Sequence, residues 1–540
     1  MFFRRTALAP VIALMALLLP APGVAEAPPV APTTTSATAA DRLLGRDRDA
    51  AFDTCVRFIT DVHAVSRDGA RRLGVPWEDA LASGRRRFRE ARSVDDVYYA
   101  LLSVQRTLRD GHARFRRNEL PVTFGPPVEL DFEADVRYAG PGGGPHRYMV
   151  VRSGEPLLPV GSTIVGCDGL AMAAFESRLL EWYDRHSPEG FREFTARNLS
   201  LRKPQSMPAP APGDTARFAC LGPDGSPFAV ALAWRAVSDA DGSRADVTNP
   251  DANGSSSAWL VSPGVREPSR FDAQYCGFPI EAAGLFWEVR GTRAEDTKIL
   301  RYVSFNYAQE QDFSAEVDAL ARHLRASGAR RVLVDVRDNG GGAFDPALVG
   351  VFTSRPFRIM LKSFHYGARV KADPQALGRD PGLELWTPEE TRLLQADLAA
   401  HPAADWSRPV PFFCRTAACG EEEAVVRFDG SPGYDTVVLC GPNTFSSGDM
   451  FVTIMKDNGI ARLAGMPSGA GDAPYRWTLD YPLADGTRIT LRLTTAVSYR
   501  PNSPQVIIEG NPPALDIPLY PTCANAEAFL DSVLAAAWPR

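Results

Sequence analysis

Lysine is scarce in this sequence, with only five copies among 59 basic residues, namely Lys203, Lys298, Lys362, Lys371 and Lys456. Acidic residues number 65, so the net charge is -6 and the pI is about 5.8. Because nucleic-acid-binding domains depend on basic surfaces, this balance argues against a nucleic-acid partner. The few lysines also leave few positions for a catalytic lysine.

Several motifs that carry metal or nucleotide chemistry are missing. The sequence has no CxxC, no HExxH and no GxxxxGK[ST] motif, and its glycine-rich stretches do not fit GxGxxG. We therefore expect no cofactor and no metal. The chain has eight cysteines, among which Cys414 and Cys419 are close enough to pair around a short loop. Cys440 ends a strand-like segment and could equally be a buried thiol.

Long apolar runs are also missing beyond the N-terminus, so no later segment reaches the roughly 20 residues that a membrane-spanning helix needs. The start combines MFFRR, a short apolar stretch and an Ala-Glu-Ala site, which predicts a signal peptide over residues 1–27. An uncleaved anchor is the alternative. With cleavage we expect a secreted or periplasmic protein with no membrane span, preceded by a Pro/Thr/Ala linker at 28–41.

Residues 42–120 are predicted to form a helical N-terminal region. Ser93 and Asp96 have the spacing of a capping box, which marks the start of one helix. Gly111 is predicted to end it. The apolar residues between them fall on one helix face: Val97, Leu101, Val104 and Leu108.

Residues 121–236 alternate short strands with one helix, and a hairpin is predicted around Asp224 and Gly225. This pattern resembles a PDZ domain, although an unspecified β-sandwich fits the same turns. A PDZ-like module would bind a peptide as an added edge strand. Residues 237–298, rich in Ser, Asp, Asn and Gly, are predicted to be an insertion that could act as a lid, a processing site or a spacer.

Residues 299–540 change to an α/β pattern. A strand at 299–305 precedes a helix that Ser314 is predicted to cap and Gly328 to end, and the segment RRVLVDVRDNGGG, at 330–342, follows as a buried strand that ends in a glycine-rich turn. A strand–helix–strand unit of this length predicts parallel pairing. A second insertion is expected within 355–433, before another buried strand at 435–440.

The segment GPNTFSSGDMF, at 441–451, joins that strand to an amphipathic helix. A serine at a strand-to-helix turn lies beside free backbone N–H groups, and these can stabilise a developing oxyanion. The same position suits an ordinary helix cap. From these residues alone, Ser446 and Ser447 could be cap or nucleophile.

Two further segments could complete such a site. DVRDNGGG, at 335–342, ends a neighbouring strand in glycines, which let backbone N–H groups face a ligand. It could equally be a tight strand exit. Among the seven histidines only His112, in LRDGHARF, lies at a sharp structural transition, and it is the candidate base.

Four segments in order, LRDGHARF, VLVDVRDNGGG, NTFSSGDMFVTIMKDNGIARLAGMPSGAG and IIEGNPPALDI, resemble the tail-specific, or C-terminal processing, serine peptidases, a family with a tricorn-like core. One variant of the family uses a lysine base, but Gly471 stands at that position here and Lys456 is the last lysine. The other variant uses a histidine and a glutamate.

The resemblance implies a Ser-His-Glu triad of Ser446 as nucleophile, His112 as general base and Glu509 as the group that supports the imidazolium. It assigns the oxyanion hole to the N–H groups of Gly341 and Ser447. Asp516 is a nearby competitor of Glu509 that the family pattern makes structural.

The predicted fold class is α/β multidomain: a crotonase-like α/β catalytic core, a PDZ-like β-rich module and a helical N-terminal region. The predicted function is a serine peptidase acting on a protein or peptide substrate, with a homodimer as a candidate assembly. The alternatives are a catalytically silent peptide-binding protein and an esterase of the same fold.

Overall fold

The computed structural model of the protein describes most of the chain from residue 48 onward. The described residues are 48–64, 76–117, 123–124, 128–134, 146–182, 188–202, 207–208, 214–236, 280–283, 286–289, 296–302, 305, 310–337, 339–342, 346–384, 387–413, 424–426, 431–472, 474–482, 488–519 and 526–539. The expected signal peptide and linker, and the expected pairing of Cys414 with Cys419, lie outside them.

The helices are distributed along the whole described chain. They are α1 (Arg48–Val62), α2 (Trp77–Glu90), α3 (Val94–Gln105), α4 (Met172–Leu179), α5 (Pro188–Ser200), α6 (Glu310–Ala326), α7 (Ala347–Gly350), α8 (Ala368–Ala372), α9 (Ala376–Arg379), α10 (Pro388–Ala400), α11 (Ser447–Asp457) and α12 (Ala526–Ala537), with a 3₁₀ turn at Arg106–Leu108.

The strands fall into several sheets. They are β1 (Arg114–Arg117), β2 (Thr123–Phe124), β3 (Val128–Ala134), β4 (His146–Ser153), β5 (Thr163–Cys167), β6 (Leu170–Ala171), β7 (Leu201–Arg202), β8 (Thr215–Leu221), β9 (Pro227–Ala233), β10 (Arg235–Ala236), β11 (Ile280–Ala283), β12 (Phe286–Val289), β13 (Thr297–Tyr302), β14 (Arg331–Asp335), β15 (Phe357–Arg358), β16 (Leu361–Phe364), β17 (Leu383–Glu384), β18 (Val410–Pro411), β19 (Val425–Val426), β20 (Asp435–Cys440), β21 (Ala461–Gly465), β22 (Arg476–Pro482), β23 (Arg488–Thr494), β24 (Ala496–Arg500), β25 (Ser503–Ile507) and β26 (Ile517–Pro518).

A seven-stranded sheet forms the centre of the C-terminal part, in the order β11-β12-β13-β14-β20-β21-β26. Five of its strands are mutually parallel, as the strand–helix–strand pattern predicts: β13, β14, β20, β21 and β26. The other two, β11 and β12, are antiparallel and lie at one edge. Because β14 and β20 are parallel neighbours, the turns that follow them emerge at the same edge of the sheet.

Side chains that alternate along the parallel strands are buried on both faces of this sheet. On one face, β14 packs Val332 and Val334 against α6 and α11. On the other face, Leu333 packs with the C-terminal helix α12, which contributes Phe529 and Val533. Burial on both faces explains why these strands have continuous apolar sequences.

The N-terminal helices pack on the C-terminal part of the chain. Strand β1 pairs with β23 in a four-stranded sheet, where Phe115 lies opposite Leu491. Leu491 shares a buried cluster with Phe52, Phe88 and Leu101 of the helices. Residues more than 350 positions apart in the chain therefore form one core, and this packing fixes the turn that carries His112.

Described residues between 128 and 234 form a β-rich unit, with β3, β4, β5, β8 and β9 as neighbours in one sheet and helices α4 and α5 beside it. The predicted hairpin joins β8 to β9, and Gly225 at its turn has φ 82°. The whole molecule is thus a multidomain α/β protein.

Two predicted helix boundaries are wrong. Ser93 caps α3 with Asp96 in the expected capping box, but α3 ends at Gln105 and the left-handed residue after its 3₁₀ turn is Arg109 (φ 52°), not Gly111. The turn comes earlier because the Asp110 carboxylate accepts the backbone N–H of His112 and shapes residues 110–112. Ser314 lies inside α6, which starts at Glu310, so it is no cap.

The two stretches expected to be insertions contribute ordered structure. Strands β11 and β12 lie within 237–298 and belong to the seven-stranded sheet. Within 355–433, helix α10 begins with a capping box and β16 pairs with β24. In the described part of the chain, no helix combines the length and the apolar character that crossing a bilayer requires. Cys440 is a buried free thiol.

Candidate active site

Ser446 occupies a strained turn between β20 and α11. Its φ is 55° and its ψ is -126°, a region that L-residues rarely adopt and that costs about 1–3 kcal/mol. Strained strand-to-helix turns of this kind expose a nucleophilic serine in hydrolases. Ser446 is partly exposed, and although it stands at the N-cap position its side chain makes no capping hydrogen bond. The helix-cap interpretation therefore does not account for its hydroxyl group.

The neighbouring Ser447 is buried and its hydroxyl group donates to the Gly342 carbonyl oxygen. Its backbone N–H belongs to the first turn of α11, where helix amides have no intrahelical acceptor. The two adjacent serines therefore differ, because one hydroxyl group is used internally and the other lies at the strained turn.

The glycine turn after β14 packs directly against the Ser446 turn. Gly341 has φ 102°, and a Cβ atom there would lie 2.6 Å from the Ser446 Cβ and 2.9 Å from the Ser447 nitrogen. Only glycine fits both the backbone and the space. The Gly341 N–H donates to the Asn339 Oδ1 at 2.9 Å, so this predicted oxyanion donor has an internal acceptor in the structure.

His112 is brought beside the serine turn by the N-terminal region. Its imidazole is 5% exposed and stacks on the Phe445 ring, with 4.5 Å between centroids and 21° between planes. Its backbone N–H donates to the Asp110 Oδ1 at 2.7 Å. The predicted base thus lies against the residue that immediately precedes the predicted nucleophile, although 334 positions separate His112 from Ser446.

Glu509 is buried, and within the described part of the chain neither of its carboxylate oxygens has a hydrogen-bond partner. Burial raises the pKa of Glu509 well above its usual value, and the carboxylates of Asp472, Asp110 and Asp449 add to the effect. Glu509 is therefore close enough to Asp110 and Asp449 for their negative charges to raise its pKa. The structure places no hydrogen bond between Glu509 and His112.

These elements match a known family. The model of peptidase family S41 covers residues 296–515, which include the glycine turn, Ser446 and Glu509. This part of the chain is therefore similar to peptidase family S41. The match indicates that the protein is a serine-type peptidase.

Solved structures resemble the chain over most of its length. Mature CPAF matches with a TM-score of 0.65 at 16% identity, over 91% of this chain and 98% of that one. Mature CPAF complexed with lactacystin gives 0.64 at 16% identity, over 91% and 99%. The photosystem II D1 C-terminal processing protease gives 0.37 at 14% identity, over 88% and 93%. At these identities the CPAF likeness establishes a shared fold, and no curated protein sequence matches the chain.

The position that the family resemblance gives to a lysine base is occupied by a glycine. A Cβ atom on this residue, Gly471, would lie 2.1 Å from the Phe445 Cε2. Lys456 forms an ion pair with Asp516 at 2.5 Å near the far end of α11. Asp516 also accepts the Leu463 N–H at 2.7 Å, so its carboxylate is engaged by two partners at that end of the helix.

Sequence reasoning missed the partner that holds the His112 turn. The Nε2 of His63 and the Oδ2 of Asp110 lie 2.9 Å apart, and both side chains are buried. His63 follows directly after α1, 47 positions before Asp110, and nothing local in the sequence links the two. Asp110 thus bridges His63 and the backbone of His112.

Asp449 is a second missed residue, three positions after Ser446. It is fully buried, and its Oδ2 accepts the Gly471 N–H at 3.0 Å. Gly471 in turn accepts the Ser446 N–H at 2.9 Å, so Asp449 helps to hold the strained turn. Burial raises the pKa of Asp449 to about 8, although the hydrogen bond from the Gly471 N–H opposes the shift. A polar residue on the predicted buried face of α11 was the available sequence signal.

Proposed function

We propose that the protein is an exported serine endopeptidase that cleaves peptide bonds through an acyl-enzyme, with Ser446, His112 and Glu509 as its catalytic residues. One observation carries the proposal. The buried His112 imidazole stacks on the ring of Phe445, the residue that precedes Ser446 at the strained turn. Export rests on the N-terminal sequence pattern of residues 1–27.

In the first step the Ser446 hydroxyl group attacks the peptide carbonyl carbon, and His112 accepts the hydroxyl proton. The tetrahedral intermediate then breaks its carbon–nitrogen bond, and His112 returns the proton to the leaving amine. A water molecule hydrolyses the resulting ester, again with His112 as base, and regenerates the free serine.

The oxyanion of each intermediate needs preorganised donors. Ser447 supplies an N–H from the first turn of α11, with the favourable end of the helix dipole. Gly341 supplies the second N–H when the substrate oxygen replaces Asn339 Oδ1 as its hydrogen-bond acceptor. The close packing of Gly341 against Ser446 and Ser447 supports this pair of donors.

Glu509 supports the positive charge that His112 gains during each proton transfer. Its raised pKa favours a neutral carboxyl group in the resting enzyme, because burial and three nearby carboxylates oppose ionisation. The imidazolium that forms on His112 lowers this pKa, so the carboxyl proton passes to solvent and the resulting carboxylate balances the positive charge. In this proposal Glu509 acts as an electrostatic partner rather than through a hydrogen bond.

The remaining parts have supporting roles in this proposal. The PDZ-like module expected at 121–236 would offer the sheet edges β3 and β9 for binding an extended peptide. The core built on the seven-stranded sheet is the crotonase-like catalytic part, and the helical N-terminal region, expected at 42–120, supplies the base.

Labelling with a fluorophosphonate probe tests the proposed residues directly. We expect wild type and Ser447→Ala to label, whereas Ser446→Ala does not label and His112→Ala labels at least 100-fold more slowly. Glu509→Gln, which keeps the shape of the side chain but not its charge, should label about 10-fold or more slowly. Peptide hydrolysis, followed in parallel, should fall in the same order.

Three results would contradict the proposal. Labelling of Ser446→Ala at the wild-type rate, with loss in Ser447→Ala, would make Ser447 the nucleophile. Wild-type rates in His112→Ala would remove the histidine from the mechanism. A wild-type protein that binds peptides but neither labels nor cleaves would be a silent peptide-binding protein.

A further inference from the structure

The Phe445 ring lies between the predicted base and the turn where the other variant of the family carries its lysine. One side of the ring stacks on His112 with the planes 21° apart. The backbone of Phe445 is fixed on both sides, because its N–H donates to the Asn339 oxygen at 3.0 Å and its oxygen accepts the Gly448 N–H at 2.9 Å. The ring is therefore held by the same two turns that form the serine site.

Two glycines provide the space that this ring fills. A Cβ atom at Gly471 would lie 2.1 Å from the Phe445 Cε2 and 2.6 Å from its Cζ, and one at Gly469 would lie 2.9 Å from its Cδ2. Neither glycine has a positive φ. Space for the ring is therefore what requires glycine at 471, whereas at 469 a Cβ atom would also lie 3.1 Å from the backbone oxygens of Pro442 and Thr444.

We infer that Phe445 is a positioning residue for His112, and that Gly471 is the residue that makes room for it. This inference rests on the proposed role of His112 as base. An imidazole stacked on a flat ring loses contact when it rotates out of its plane, so the stack restricts His112 to one orientation beside Ser446. The ring face also attracts the imidazolium that forms when His112 accepts a proton.

The packing of Phe445 against Gly471 and His112 restricts which residue can serve as the base. Any side chain at position 471 would occupy the volume of the Phe445 ring. A lysine at 471 and a ring stacked on His112 therefore exclude each other in this fold. Phe445, Gly471 and His112 form one matched set, which we call the histidine platform.

A double-mutant cycle tests the histidine platform, with the fluorophosphonate labelling rate as the measurement. We expect Phe445→Leu to slow labelling about 10-fold or more in the wild-type background and to change it less than twofold in the His112→Ala background. Peptide hydrolysis should show the loss in kcat, with KM within about threefold of wild type.

Phe451→Leu is the matched control, since Phe451 is a buried phenyl group of the following helix, α11, and packs on Phe305 and Phe352 instead of His112. Its effect on labelling should be the same in both backgrounds. If Phe445→Leu also slows labelling equally in both backgrounds, its role is general packing and the inference is overturned.

Gly471→Ala provides the second arm of the test. The added methyl group should displace the ring and slow labelling about as much as Phe445→Leu, and the two changes together should be no worse than the stronger one alone. Fully additive losses would overturn the shared mechanism. If His112→Ala labels at the wild-type rate, the proposed function fails; if it loses labelling while Phe445→Leu does not, only the histidine platform fails.

Discussion

At the scale of single residues, the site is defined by groups whose environment differs from that of a surface side chain. Ser446 has a backbone conformation that disfavours side chains, and His112, Asp449 and Glu509 are buried. Burial of carboxyl groups costs free energy unless they are protonated or paired. Backbone strain and buried carboxyl groups at the proposed site therefore lower the free energy of unfolding, and this effect can be measured.

Asp449 makes the stability of the protein depend on pH. Its pKa is raised by burial from 3.8 to about 8, so the folded state holds this proton more tightly than the unfolded state. The stabilisation is fully present below pH 3.8 and is lost as the pH rises through about 8. Asp449→Asn has no proton to lose, and we expect it to be more stable than wild type at pH 8.5, by on the order of a few kcal/mol, with a smaller difference at pH 5.

Denaturant midpoints of wild type and Asp449→Asn at the two pH values measure this effect. Asp480→Asn, a change at an exposed aspartate, is the control and should leave the pH dependence as in wild type. An Asp449→Asn protein whose stability changes with pH as steeply as the wild type would show that Asp449 is not the group responsible.

At the scale of elements, two turns from parallel neighbouring strands build the centre of the site. The glycine turn follows β14 and the serine turn follows β20, and the register of this pair sets Asp335 opposite Leu439. The turns contact each other closely enough that Gly341 has no space for a side chain. Their fit, rather than either turn alone, creates the proposed oxyanion site.

Gly341→Ala and Gly340→Ala form a matched pair that tests this fit. The Cβ of Gly341→Ala would clash with Ser446 at a residue whose φ is 102°, whereas a Cβ at Gly340 would meet nothing within 4 Å. We expect Gly341→Ala to lower kcat/KM by about 100-fold or more, and Gly340→Ala to stay within about threefold of wild type. Thermal unfolding should show a loss only for Gly341→Ala. Equal effects of the two changes on kcat/KM would contradict the proposed fit.

At the scale of the whole molecule, the site depends on contact between the two ends of the sequence. The N-terminal helices share a buried cluster with β23, and β1 extends the sheet that β23 belongs to. Only this packing brings His112 to Phe445. The catalytic core matched by the S41 model, residues 296–515, does not contain the proposed base.

Removal of residues 1–117 should therefore abolish peptidase activity. The deletion removes His112 and exposes apolar side chains of β23 such as Leu491, so we also expect a lower unfolding temperature. Full-length His112→Ala is the control, because it removes the imidazole and leaves the packing in place. Full activity of the truncated protein would refute the assignment of His112.

The sequence by itself determined the elements whose information is local. Continuous apolar residues predicted β14 and β20, and the Ser93 capping box predicted the start of α3. The order of four short motifs predicted the peptidase class, which the S41 match confirms. Local hydrogen bonding and apolar periodicity are set by neighbouring residues, so they can be predicted from the sequence without knowledge of the fold.

Only the tertiary structure decided which distant residues meet. It placed His63 on Asp110, Phe445 on His112 and Gly341 on Ser446, and it moved the left-handed turn residue from Gly111 to Arg109. It also showed that the Gly341 N–H is held by Asn339. These contacts depend on how helices and sheets that are hundreds of residues apart in the sequence pack together. Such packing produces no periodic pattern in the sequence from which it could be predicted.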